Sequence, residues 1–287
     1  MKLAICNELF ENWPWEKLCD FASGTGYQGI EVAPFTLAGR AEWVTPEQRA
    51  QLRSAAESRG LQVIGLHWLL AKPPGFHITH PDAAIRKATA AYFTELVRLC
   101  ADLGGRVMVI GSPKQRNLLP GVDREQAMGY AAEVFAPCLE TAAGRGVTLA
   151  MEPLPPQETD FILSAAEAVE LIERIGHPNF RLQLDVKAMS YEAKPIPQII
   201  RESAKHLAHF HVNDPNLLGP GMGEVRYEPI IAALREAGYD GWLSVEAFDF
   251  HHGAEKIAKA SAEYMVRLAP LIEDGSDPSS IRPKRNR

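Results

Sequence analysis

The sequence predicts a single (β/α)8 barrel, and three observations predict it. Eight strand-like apolar runs alternate with eight amphipathic helical patterns, 287 residues is near the usual size of one such barrel, and connections are short after helices but long after strands. In order, the strand-like runs are 2–7, 28–34, 61–68, 106–112, 147–152, 180–186, 207–213 and 241–248. The helical patterns follow them at 14–24, 46–59, 82–103, 123–144, 165–175, 196–205, 228–237 and 254–268.

Several boundaries carry their own chemistry. Thr45-Pro46-Glu47-Gln48 offers an N-cap threonine, a proline at the first helical position and a glutamine placed to close a capping box. Ser164 and Glu167 repeat that pattern, and Asp82 and Asp123 are candidate caps for two long helices. Gly104-Gly105 and Gly146 stop helices where a left-handed residue is required. The long connections 69–81, 113–122, 153–163 and 214–227 all follow strands, so they surround the C-terminal mouth, where barrels build their sites. No linker divides the chain, so one domain is expected over 1–273. The polar stretch 274–287, with Pro278 and Pro283 and ending KRNR, is expected to be a disordered tail with solvated basic residues.

Composition narrows the function. Hydrophobic residues make up 46 % of the chain, enough for a full core, and the formal net charge is -6 with no Lys/Arg cluster before the tail. That balance argues against a nucleic-acid partner, which needs a dense basic surface. No apolar run approaches the roughly 20 residues that span a bilayer, and MKLAICNELF starts on a strand-like pattern rather than a signal peptide. A cytoplasmic protein is expected. The cysteines, Cys6, Cys19, Cys100 and Cys138, form no C-x-x-C pair and read as reduced packing residues.

Side chains alternate along a strand. Leu149 and Met151 oppose Thr148, Ala150 and Glu152 in the fifth run; Leu182 and Leu184 oppose Arg181, Gln183 and Asp185 in the sixth. In the seventh, Ala208 and Phe210 oppose His209 and His211; in the eighth, Leu243 and Val245 oppose Trp242, Ser244 and Glu246. With each apolar face on the helical ring, each polar face points into the barrel and ends at the mouth in a metal-competent residue. Three carboxylates so close would repel unless a cation joined them. Glu152, Asp185, His211 and Glu246 form an oxygen-rich donor set that suits one Mn²⁺ or Mg²⁺ better than structural zinc. The competing reading is a buried ionic network with Arg181 and Lys187 as partners.

Met151-Glu152-Pro153-Leu154, Glu158-Thr159-Asp160-Phe161, Leu184-Asp185, His209-Phe210-His211-Val212-Asn213-Asp214, Ser244-Val245-Glu246 and the stretch from Glu170 to Phe180 occur in order at barrel spacing. With them the chain resembles the xylose-isomerase-like sugar isomerase/epimerase superfamily, and within it the ketose 3-epimerases acting on D-tagatose, D-psicose or L-ribulose. The resemblance implies that Glu152, Asp185, His211 and Glu246 hold one divalent metal, which stabilises an enediolate. It also implies that Glu152 and Glu246 remove and return a proton on opposite faces of one carbon. Glu158 is then placed to bind a substrate hydroxyl or orient a ligand. Relatives of this kind are often dimers or tetramers. Four positions depart from the epimerase pattern: a histidine expected three residues after Asp185 is Ala188, an arginine expected six after His211 is Leu217, and an Asn-Arg pair expected after Leu154 is Pro155-Pro156.

Further candidates stand around the mouth. Lys187 faces it if the strand stays regular, as an acid or electrostatic stabiliser; the alternatives are a partner for Asp185 or an exposed loop residue. His67 ends the third run and is a candidate substrate contact, while Trp68 and Phe76 are candidate walls for a sugar face. Glu31 reads equally as a hydroxyl ligand or a structural ion-pair partner. Ser112 and Arg116 are candidate contacts to a polar substrate. His77 and His80 read as lid or solvated loop, and His251-His252 as loop.

The function expected is a metal-dependent epimerase of a keto sugar. The alternative is a dehydratase or lyase on a keto sugar, inosose or 3-keto-glycoside, toward which Ala188 and Lys187 lean; a non-catalytic sugar-binding barrel ranks third. Leu154 stands where xylose isomerases carry a lysine, and the missing histidine after Asp185 argues against endonuclease-type repair enzymes with three zinc ions.

Overall fold

A computed structural model describes residues 1–268 together with 270 and 271; the tail expected at 274–287 lies outside the described residues. Eight parallel strands, β1 (Lys2–Cys6), β2 (Gly29–Val32), β3 (Gln62–Leu66), β4 (Val107–Ile110), β5 (Thr148–Met151), β6 (Phe180–Asp185), β7 (Leu207–Val212) and β8 (Trp242–Val245), close into a barrel in sequence order. β1 pairs with β8 through Ile5 and Val245, which leaves no open edge. Among the described residues, nine α-helices accompany them: α1 (Trp15–Thr25), α2 (Pro46–Glu57), α3 (Ala83–Asp102), α4 (Arg124–Arg145), α5 (Ala165–Ile175), α6 (Val186–Met189), α7 (Ile196–Ser203), α8 (Glu228–Glu236) and α9 (Ala254–Arg267).

The local signals behave as their chemistry requires. Thr45 accepts from Gln48 N while Gln48 Oε1 accepts from Thr45 N, a closed capping box, and Asp123 makes the same pair with Gln126. Asp82 caps α3 through Ala84 N. Ser164 caps α5 through Glu167 N, but the Glu167 carboxylate turns to Leu163 N, so that box stays half made. Gly146 ends α4 at φ 64°, a conformation that costs other residues their Cβ clearance.

The main apolar core lies between barrel and helices. Phe135 of α4 packs against Phe93 of α3 and Phe180 of β6, with ring centroids 5.1 and 5.0 Å away, tying two helices to the sheet. Each such buried ring contributes about 1.5–3 kcal/mol relative to exposure. The barrel interior is different: Gln183, His209, Glu31 and Ser244 point inward and are all buried. The polar faces read in β5 to β8 therefore line the lumen.

Two departures from a regular barrel shape the mouth. Directly after β1 the chain coils into a 3₁₀ turn, Asn7–Phe10, instead of leaving as a loop. After β6 it turns at once into α6, because Asp185 caps this helix through Ala188 N. Among the described residues, no helix is long and apolar enough to cross a membrane.

Candidate active site

Glu152 directly follows β5, Asp185 ends β6, His211 is the penultimate residue of β7 and Glu246 directly follows β8. One ligand-capable atom from each lies within 4.8 Å of all the others, and all four residues are buried. Their partners leave them oriented rather than neutralised. Asp185 accepts from Ala188 N with Oδ1 at 2.7 Å and from Asn213 Nδ2 with Oδ2 at 2.5 Å, and each oxygen keeps a lone pair. Glu246 accepts the Trp68 indole at 2.9 Å on Oε1, and its Oε2 lies 2.9 Å from His211 Nδ1. Trp68 makes this contact from a left-handed backbone, φ 51°.

Glu31 fixes His211 from below. Its carboxylate lies 3.2 Å from His211 Nε2 and 2.9 Å from His209 Nε2, fully buried. Glu31 and Glu246 together raise His211, so without an ion both ring nitrogens carry protons. An ion displacing the Nδ1 proton would leave Nε2–H on Glu31 and the Nδ1 lone pair toward the other three residues, the usual arrangement behind a metal-binding imidazole. Of the two readings open for Glu31, the structure shows the structural partner.

The electrostatics match a cation site. Burial, reinforced by Glu246 and Asp185, pushes the Glu152 carboxyl up to about 8. Burial also raises Asp185, against the pull of Lys187. Burial would raise Glu246 too, but His211 beside it holds it below the usual range. The set is thus forced to keep a proton that a divalent ion would replace, and three carboxylates with one imidazole fit such an ion.

Other candidates divide. Lys187 reaches the mouth, but from α6 rather than a continued strand: Nζ lies 2.7 Å from Glu158 Oε1 and 3.8 Å from the Phe248 ring centroid. Glu158, Lys187, His67 and Trp68 all line the mouth cavity with Glu152 and Glu246. His67 Nε2 lies 2.5 Å from Glu8 Oε2. Ser112 does not line that cavity, and its hydroxyl accepts from Leu70 N at 3.0 Å. Phe76 stacks on Tyr92, ring centroids 4.4 Å apart, and does not line the mouth cavity. Arg116 is wholly buried and donates to the carbonyls of Glu152 and Ile110, bracing the backbone beneath the site. Arg181 donates to Lys205 O, away from the four, so the ionic-network reading loses one of its two partners. His77 and His80 accept from Thr79 N and Asp82 N within their own loop, and His251 is exposed beside Asp249.

Sequence reasoning missed Glu8, Phe248 and Gly111. Glu8 arrives through the 3₁₀ turn, which carried no period-two signal. At Gly111 a Cβ would stand 1.9 Å from Glu152 Oε2, so glycine there makes room for the carboxylate. A larger cavity of about 620 Å³ lies between the segment after β1 and α2, lined by Trp13, Trp15, Phe35 and Gln48. It shares no residue with the mouth cavity, and the four-residue donor set lies at the mouth, so chemistry, not size, places the candidate site.

Fold and site together define an eight-stranded parallel barrel whose mouth carries a group of residues suited to a metal ion. The chain belongs to the xylose isomerase-like TIM barrel family, whose model matches residues 19–268. It is 26 % identical over 227 residues to D-psicose 3-epimerase of Ruminiclostridium cellulolyticum, covering 78 % of this chain and 74 % of the relative. It is 29 % identical over 200 residues to L-ribulose 3-epimerase of Mesorhizobium japonicum, covering 69 % and 67 %. The fold is shared with the structure of D-psicose 3-epimerase with D-tagatose from Clostridium cellulolyticum H10, at TM-score 0.82 and 20 % identity over 96 % of this chain and all of that one.

Proposed function

We propose that this protein epimerises a free keto sugar at the carbon beside its carbonyl, with Glu152 and Glu246 as the two proton-handling groups. The observation that carries this reading is the meeting of two buried glutamates, from the ends of β5 and β8, with Asp185 and His211 in one donor set. A divalent ion held by these four, Mn²⁺ or Mg²⁺ by the oxygen-rich chemistry, would polarise the substrate carbonyl and its neighbouring hydroxyl. Glu246, kept ionised by His211, is the base for one direction; Glu152 returns a proton from the other side of the mouth. Trp68 holds Glu246 in place, and Phe248 offers an apolar wall. Among the described residues, Lys187 is the one lysine or arginine lining the mouth cavity, and Glu158 already engages it, which favours an uncharged sugar over its phosphate.

The same lysine supports a second reading. An ammonium facing the cavity is placed to assist loss of a hydroxyl, so a keto-sugar dehydratase would share the first proton abstraction. Proton NMR in D₂O separates the two. The protein, supplied with Mn²⁺ or Mg²⁺ and a panel of ketoses and 3-keto-glycosides, is expected to place deuterium beside the carbonyl and yield an epimer. Glu152→Gln and Glu246→Gln each lower the rate about a hundred- to ten-thousand-fold with the fold retained. Wild-type rates in either variant would overturn the two-glutamate mechanism, and a dehydrated product would select the second reading.

A further inference from the structure

Three of the four cysteines pack where their sequence context suggests. Cys19, Cys100 and Cys138 belong to the apolar cluster outside the barrel; Cys6, although fully buried, does not. Its thiol points into the lumen, 3.5 Å from Ser244 Oγ and 3.8 Å from Glu31 Oε2. Above it stand Glu8, His67 and Glu246, and one ligand-capable atom from each of the four lies within 4.8 Å of the rest. The Glu8–His67 contact uses only half of each side chain: Glu8 Oε1 and His67 Nδ1 are both buried without any hydrogen-bond partner. Unpaired polar atoms in such a place are destabilising, and a ligand that engages them removes that cost.

We propose that Cys6, Glu8, His67 and Glu246 form a second cation site, taking a thiophilic divalent ion, zinc above all. A thiolate, an imidazole and two carboxylates supply four donors of mixed softness, a set that zinc accepts in fourfold coordination and that Mn²⁺ and Mg²⁺ disfavour. The neighbouring set contains no sulfur, so the two sites differ in the ion they select. Binding displaces the Cys6 thiol proton and any proton shared by Glu8 and His67 to solvent, so the thiolate and carboxylates meet the ion as anions. Glu246 belongs to both sets and would bridge two ions when both are loaded. None of this depends on the epimerase reading, because ion uptake is measured without any sugar.

The test is metal counting on the full chain stripped with chelator. Zinc is expected to bind at about two ions per chain, and Mn²⁺ at about one. Cys6→Ser lowers zinc uptake to about one ion and leaves Mn²⁺ uptake unchanged, which also shows that the variant folds. Cobalt in the wild type gives a near-ultraviolet thiolate charge-transfer band that Cys6→Ser abolishes. Should the serine variant fail to fold, Glu8→Gln, which keeps an acceptor for His67, is expected to weaken the second zinc at least about tenfold. A wild-type protein that takes up only one zinc, or a cobalt band that survives Cys6→Ser, overturns the proposal. Failure of the deuterium experiment would leave these counts untouched, so the two readings fail separately.

Discussion

The two sides of the barrel mouth are built by different means. From β5 to β8, every donor sits at or beside the end of its strand, where simple alternation fixes which way it points. From β1 to β3, Glu8 comes from a 3₁₀ turn, Glu31 from inside the lumen, and His67 from the residue after a strand. The first side presents donors to the opening. The second holds those donors from behind, through Glu31 on His211 and Trp68 on Glu246. On the proposed function, the barrel divides reacting groups and supporting groups between opposite arcs of one ring.

The sharpest way to break this division is to disturb the reacting arc alone. Gly111→Ala puts a methyl group where Glu152 Oε2 now lies, and the side chain, not the backbone, must give way. Turnover is expected to fall about a hundredfold, with the melting temperature little changed. Equal loss of stability would mean that the glycine serves packing instead.

The supporting arc has a smaller expected effect. Glu31→Gln removes the charge behind His211 and is expected to weaken divalent-ion affinity about ten- to hundredfold by calorimetry, while turnover at saturating ion recovers most of its value. Loss of turnover that no ion concentration restores would place Glu31 among the reacting groups.

The smallest effect is a proton count. In the unfolded chain Glu152 ionises near its ordinary 4.5, whereas the folded, ion-free protein holds that proton until about 8. Between those values the folded state binds more protons, so its stability falls as pH rises through the window. Ion binding at pH 7 is expected to release about two protons, one from Glu152 and one from His211, read as a difference in calorimetric heat between buffers of unlike ionisation enthalpy. Identical heats would show that neither residue gives up a proton to the ion.

The same division explains what the sequence made legible. Strand order, the helices from Trp15 to Arg267 and the four converging donors follow from apolar alternation and caps, which act over a few residues. Glu8, Gly111 and the turn at Val186 were not legible, because each depends on a neighbour distant in the chain. Glu8 means little without His67, Gly111 means little without Glu152, and α6 starts early because Asp185 caps it. Ser112 and Arg116 are candidate substrate contacts by their place after β4, and in the structure they hold Leu70 N and the carbonyls of Glu152 and Ile110. A polar residue in a mouth loop looks the same in sequence whether it faces the opening or braces the loop beneath.

Trp68 sets heat resistance against speed. Holding an indole at φ 51° costs about 1–3 kcal/mol, an expense that glycine or asparagine would relieve. Either replacement would also withdraw the donor from Glu246. A screen for thermostable variants would therefore drift toward glycine at this position and discard activity as it went, whereas a screen for activity would keep the tryptophan and gain its robustness elsewhere.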